Sequence, residues 1–154
     1  MVVYDCILIH YAAEITLKGK NRPSFERKLV QNVQNALSNE STGGTTREHG
    51  RVVVHLNAQS DITQILLQIS RVFGISWYAP GYITSPNLKD ISAIVLEKTP
   101  YYIKENEPLK VVAKRADKQF PLTSPQIGAH IGAQLVEKYG VSVSLKNPKL
   151  QVFL

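Results

Sequence analysis

Cysteine occurs once, at Cys6, so no disulfide can close within the chain. A lone thiol suits a reducing cytosol, and its place in an apolar run marks it as a buried core group. Long apolar runs are missing as well: none approaches the ~20 residues that a membrane-spanning helix needs. "MVVYDCILIHY" has neither a basic segment nor a small-residue cleavage site, so no secretory signal is expected and a cytoplasmic location is. Neither a Walker-type phosphate loop nor a G-x-G-x-x-G turn occurs. His10, His49, His55 and His130 lack metal-ligand spacing among themselves or with Cys6. Asp5 and Glu14 flank the first apolar run, but nothing marks them as an acid and a base. No catalytic centre, metal or cofactor is therefore expected in this chain. Acid is also scarce, 12 residues against 18 Lys and Arg, which gives a net charge of +6 and a pI near 9.5. That excess favours a polyanionic partner, with nucleic acid ahead of membrane.

What is present reads as two successive α+β units in 154 residues. Residues 4–10 form a short apolar strand. "PSFERKLVQNVQNALS" places Phe25, Leu29, Val33 and Leu37 four apart, with Val30 and Ala36 beside them, on one helical face. Pro23 fits its first turn, where a missing N–H costs nothing. "TTREHG" and "RVVVHLN" read as two strands joined by a tight turn at His49-Gly50. A second helix follows in "SDITQILLQISRVFG", capped by Ser60 or Asp61, lined by Ile62, Ile65, Leu66, Ile69 and Phe73 and stopped by Gly74. "ISWYAPGYIT" is a strand expected to bend at Pro80-Gly81. The order β-α-β-β-α-β is the ferredoxin-like arrangement, in which two crossover helices cover one face of a four-stranded sheet.

"SPN" at 85–87 is a joint, which predicts domains 1–84 and 85–154. Eight bases against six acids give the first a net +2; ten against six give the second +4. In the second, "LKDISAIVLEKT" is helical up to Pro100, and "PLKVVAKRAD" is a strand. "SPQIGAHIGAQLVEKYG" is a helix, with Ser124 as its cap, Pro125 at its first position and Gly140 past its end. "VSVSLKNP" and "LQVFL" are two further strands, the last of them expected to be cut short. Such a strand favours pairing with absent sequence or with another copy, so a homodimer is a candidate assembly.

The cations gather where strands give way to helices. Lys18, Lys20 and Arg22, with Asn21 between the last two, alternate along the connection after the first strand. Gly19 lets that backbone turn closely, and the adjacent helix start offers free N–H groups to a phosphate. Lys114 and Arg115 close a strand, Lys118 stands in the following loop, and Ser124 opens a helix whose positive end favours an anion. Lys146 and Asn147, with Lys149, form a weaker third group. Each cluster alone is equally a solvated charged rim. Phe120 can stack on a base or pin its loop to the core, and the glycines of "GAHIG" serve close packing or close approach of a backbone.

These residues carry a resemblance. "AEITLKGKNRPSFERKLVQNV" is similar to the opening of the tRNA 4-thiouridine synthases (tRNA sulfurtransferases, a thiamine-biosynthesis family), with Tyr11, Glu14, Ile15, Leu17, Lys18, Gly19, Lys20, Asn21, Arg22, Phe25 and Glu26 on its pattern. Ala12-Ala13 depart from it, where the family usually has one Gly. The second half resembles a THUMP domain through Lys114, Arg115, Lys118, Phe120, Pro121, Ser124, Gly128, Gly132, Val143, Leu145, Asn147 and Pro148, with Lys149 in place of a usual Asp. The resemblance implies a ferredoxin-like domain followed by an α/β THUMP domain, together gripping the acceptor arm and 3′ end of tRNA. Lys18, Lys20, Asn21, Arg22, Lys114, Arg115, Lys118, Ser124, Lys146 and Asn147 are then the RNA contacts. It also implies a partner: a pyrophosphate-loop adenylating and sulfur-transfer domain, whose loop and cysteine do not occur here. Three alternatives stay open: an RNA-binding subunit of another THUMP-type modifying enzyme, a small acylphosphatase-like enzyme on a ferredoxin-like sheet, and a scaffold whose basic faces dock an acidic protein.

Overall fold

The computed structural model describes residues 3–154, which fall into two compact units, Met1–Ile83 and Thr84–Leu154. In the first, β1 (Cys6–Tyr11) alternates in period two, so Ile7, Ile9 and Tyr11 share one face. A four-residue helix α1 (Ala13–Thr16) and a 3-10 turn (Gly19–Asn21) lead into α2 (Arg22–Ala36). The connection after β1 is therefore mostly helical, and α2 begins one residue before Pro23. Its buried line is Glu26, Leu29 and Val33, continued by Leu37, rather than one starting at Phe25, which stays 41% exposed. Position 25 lies about 100° around the helix from 26 and falls on the flank of the stripe.

Strands β2 (Gly44–Glu48) and β3 (Arg51–His55) meet in a two-residue hairpin. His49 (φ 49°) and Gly50 (φ 78°) both adopt the left-handed region, as a twist-matched hairpin turn requires. Helix α3 (Ile62–Ile69) is capped by Asp61, whose side chain accepts from the Gln64 N–H. It ends before the expected stripe does. Phe73 is 95% exposed, because the chain has already turned toward Gly74 (φ 91°). Strand β4 (Ile75–Gly81) pairs with β1, and its irregularity lies near Ser76 rather than at Pro80-Gly81: His10 faces Trp77 and Tyr11 faces Ile75. Pro80 is accommodated because β4 is an edge strand.

The sheet order is β2-β3-β1-β4, antiparallel throughout, with the two longer helices over one face. Ile7, Ile9, Val52, Val54, Ile65 and Ile69 are fully buried in this layer. Each such side chain contributes about 1.5–3 kcal/mol by leaving water. The register puts Tyr11, Glu48, Arg51 and Ile75 at the same end of the sheet, where α2 also starts. Cys6 is buried as expected, and that burial, with the Asp5 and Glu48 charges, pushes its thiol up to about 11.

The second unit opens with α4 (Leu88–Lys98), capped by Asn87 onto the Asp90 N–H, then a 3-10 turn at Thr99–Tyr101 around Pro100. Strand β5 (Leu109–Val112) runs parallel to β6 (Leu150–Phe153), with α5 (Ser124–Tyr139) between them in sequence. Val95, Leu109, Ile127, Ile131 and Leu135 form the core of this layer. Three expectations are corrected. The strand read over 108–117 ends at Val112, so Lys114 and Arg115 lie beyond it. "VSVSLKNP" makes a single bridge, Val143 to Leu109, before Asn147 turns onto the Ser144 Oγ. The cap of α5 is Thr123 rather than Ser124: its hydroxyl accepts from the Gln126 N–H while the Gln126 side chain accepts from the Thr123 N–H. Gly140 (φ 64°) ends α5 as expected.

Candidate nucleic-acid interface

In the first unit the cations divide into two kinds. Lys18, Lys20 and Asn21 are exposed on the turn before α2, and Lys18 rests its ammonium 4.9 Å from the centre of the Phe25 ring. Phe25 therefore serves as a platform for a lysine. Arg22 is held differently. Its Nε donates to Glu26 Oε1 at 2.6 Å, one helical turn on. The other oxygen of Glu26 accepts from Arg47 Nη1 at 3.0 Å, across from β2. Glu26 is only 7% exposed, so a buried carboxylate is answered by two guanidiniums. Two positive groups on one buried anion keep it paired even if one is lost. The Tyr11 hydroxyl is buried beside this cluster without a hydrogen-bond partner among the described residues, and burial, then the Glu26 charge, raise its pKa against the lowering pull of Arg47 and Arg22.

Arg47 escaped the sequence reading. It stands in "TTREHG", with no periodic neighbour and no motif. The register explains its position: it pairs with Val52, a core residue, so it lies on the helix-covered side of the edge strand, facing α2. Arg51, at the start of β3, and the α2 N-terminus occupy the same end of the sheet. An acylphosphatase-like loop would need a Gly-rich turn directly after β1, and α1 occupies that place.

In the second unit, Lys114, Arg115, Lys118 and Ser124 belong to one loop, leaving the C-terminal end of β5 and entering α5. Lys114 and Lys118 are exposed. Arg115 is half-buried and organises the loop from within. Its Nη1 donates to the carbonyls of Lys118 (3.1 Å), Phe120 (3.1 Å) and Leu122 (3.3 Å). Its own N–H donates to Ser124 Oγ at 3.1 Å. Ser124 thus ties the two ends of the loop together instead of capping the helix. Phe120 packs against the core of this unit, so it pins the loop. Lys146 and Asn147 are exposed on a different turn, the one that leads back to β6, where the Lys149 N–H donates to the Pro108 carbonyl. A groove of about 500 Å³ runs beside β5. Lys110, Ala113, Ser124, Gly128, Gly132 and Leu145 line it, and Gly128 lets α5 pack closely on β5: a Cβ there would stand 3.3 Å from the Val111 carbonyl oxygen. Among the described residues no group of His, Cys, Asp and Glu has metal-binding geometry, and no helix is long and apolar enough to cross a membrane.

Comparison with known proteins assigns both units. Residues 6–79 match the ThiI ferredoxin-like domain and residues 87–154 the THUMP domain. Each unit is thus matched by its own domain family. Curated relatives named probable tRNA sulfurtransferase are 34% identical in Brevibacillus brevis (94% of this chain), 34% in Natranaerobius thermophilus (96%) and 30% in Staphylococcus aureus (97%). The chain spans only about a third of their length, 36, 37 and 36% respectively. Among solved structures, PH1313 from Pyrococcus horikoshii Ot3 superposes with a TM-score of 0.81 at 26% identity, over 97% of this chain and 50% of that one. A 4-thiouridine synthetase in complex with RNA and ATP superposes with a TM-score of 0.70 at 24% identity, over 98% of this chain and 38% of that one, and speaks for the fold. The ferredoxin-like and THUMP reading of the sequence is therefore correct, and its α+β class with it.

Proposed function

We propose that this ThiI ferredoxin-like and THUMP pair, as domains 1–84 and 85–154, is the tRNA-binding part of a 4-thiouridine sulfurtransferase system. It grips the acceptor arm and 3′ end and presents them to a pyrophosphate-loop domain outside this sequence. The observation that carries this is the succession of the two domain families along this chain, 94% of which matches a relative named probable tRNA sulfurtransferase, joined to a cationic loop before a helix in each unit. Lys18, Lys20, Asn21 and Arg22 contact phosphates in the first unit. Lys114, Lys118 and Ser124 do so in the second, on a loop shaped by Arg115, with Lys146 and Asn147 as outlying contacts. The work takes place in the cytoplasm. Pairing of two copies belongs to the same reading and is checked by light scattering.

Phosphate contacts release counterions, so affinity falls steeply with salt. Five duplex phosphates give a slope near −4.5, and raising salt from ~50 to ~200 mM then weakens binding about 500-fold. Filter binding of bulk tRNA measures this. Weak binding that ignores salt refutes the proposal.

A further inference from the structure

Glu26 poses a problem that stability alone does not solve. A buried carboxylate with paired cations gains little over an apolar side chain of the same size, yet here it sits under two guanidiniums that remain 41 and 43% exposed. Each arginine spends one nitrogen on it, Nε of Arg22 and Nη1 of Arg47. The other nitrogens have no recorded acceptor among the described residues. Gly50, lacking a side chain, lets Arg22 Nη2 lie close over the hairpin turn: a Cβ there would stand 3.2 Å from it. Five N–H donors in a rigid planar fork suit the oxygens of a phosphate, and a fork already oriented loses less freedom on binding. The surroundings carry the matching sign, with Lys18 and Lys20 exposed on the turn before the helix that bears Arg22 and Glu26.

We propose that Arg22 and Arg47 form a paired guanidinium fork for a single RNA backbone phosphate, with Glu26 as the buried positioning residue that holds both. This rests on the RNA-binding function proposed above and adds a contact, Arg47, from a strand edge that the motif-bearing segment does not include. Arg22 supplies the fork from the helix, Arg47 from the edge of the sheet, and the carboxylate fixes their separation. Glu26 does not touch the ligand. Its role differs from that of an ordinary surface acid, which repels RNA.

That difference sets the sign of the test. Glu26→Gln keeps the shape of the side chain and raises the net charge by one. Generic electrostatics predicts tighter tRNA binding, whereas a positioning role predicts weaker binding, about 5–10-fold at ~100 mM salt. Arg47→Gln, on the exposed edge strand, is expected to lower the salt slope by up to about 0.9, the value of one duplex phosphate, since Arg22 alone holds that phosphate less firmly. Arg47→Lys is expected to restore the slope without the affinity, since an ammonium carries the charge but not the fork. Circular dichroism and thermal melts of each variant establish that it is folded. Should Glu26→Gln unfold the protein, the two Arg47 variants decide the matter alone. The fork is overturned if folded Glu26→Gln binds as tightly as wild type or tighter, if Arg47→Gln leaves the slope unchanged, or if Arg47→Lys restores full affinity. Failure of the wild-type chain to bind tRNA with a steep salt slope instead overturns the RNA-binding function itself, and the fork with it.

Discussion

Arg115 offers the sharpest test of how the THUMP loop is built. One nitrogen, Nη1, lies 3.1–3.3 Å from three carbonyl oxygens, those of Lys118, Phe120 and Leu122. That nitrogen has two hydrogens, so about two full bonds are shared among three acceptors. A hydrogen bond to a charged group contributes about 1.5–3 kcal/mol when buried. This side chain is half-exposed, so water recovers part of the loss, and ~2 kcal/mol is a fair total for Arg115→Ala. The penalty is local: the loop opens more readily while the core of the unit, centred on Ile131 and Leu135, is untouched. Native-state hydrogen exchange reads it directly. At 1.36 kcal/mol per decade, the Arg115, Gln119 and Phe120 amides, all hydrogen-bonded within this loop, exchange about 30-fold faster in the variant. If the proposed function holds, affinity for tRNA falls with them, because Lys114 and Lys118 lose their fixed positions. Arg115→Lys is the decisive control. Lysine keeps the charge but cannot span three carbonyls from a planar fork. If lysine restores both protection and binding, Arg115 acts as a charge and the staple argument fails.

Three further outcomes follow from particular contacts. Thr123→Ala is expected to cost about 1 kcal/mol in urea unfolding by breaking the capping box, and more than Ser124→Ala does in the helicity of α5; equal losses of helicity would mean that Ser124 shares the cap. Gly74→Ala should lower stability by roughly 2 kcal/mol, since φ is +91° and the new Cβ would stand 2.9 Å from Ile15 Cδ1; a melt unchanged from wild type refutes this. The Cys6 thiol, raised from 9.0 to about 11, should resist iodoacetamide at pH 8 until urea opens the sheet. Because the folded pKa is the higher one, its contribution to stability is complete below pH 9 and is lost as pH rises toward 11, which denaturant melts across that range can follow.

Local chemistry was readable wherever it acts over a few residues. The alternation of Ile7, Ile9 and Tyr11, the Leu29-Val33-Leu37 stripe, the His49-Gly50 hairpin and the Gly140 stop each follow from side-chain period or backbone freedom. Errors arose where neighbouring residues compete for one role. Thr123 and Ser124 are both good caps, and only the path of the loop decides that one caps α5 while the other accepts the Arg115 N–H. Phe73 continues the apolar period of α3, but the period has no meaning once the helix has ended.

The candidate interface divides the same way. Lysines in a loop can be named from sequence, because an exposed cation needs no partner to be placed. Arginines cannot, because what they do depends on which oxygen meets them. The sequence by itself determined the order of the longer elements of the first unit, the two-unit layout of its motifs and the sign of its net charge. The tertiary structure alone decided that Glu26 lies between Arg22 and Arg47, 21 residues apart from the latter, and that Arg115 faces three carbonyls. The physical reason is range: propensity and periodicity act within a few residues, whereas pairing a buried charge requires strands and helices to be in register first.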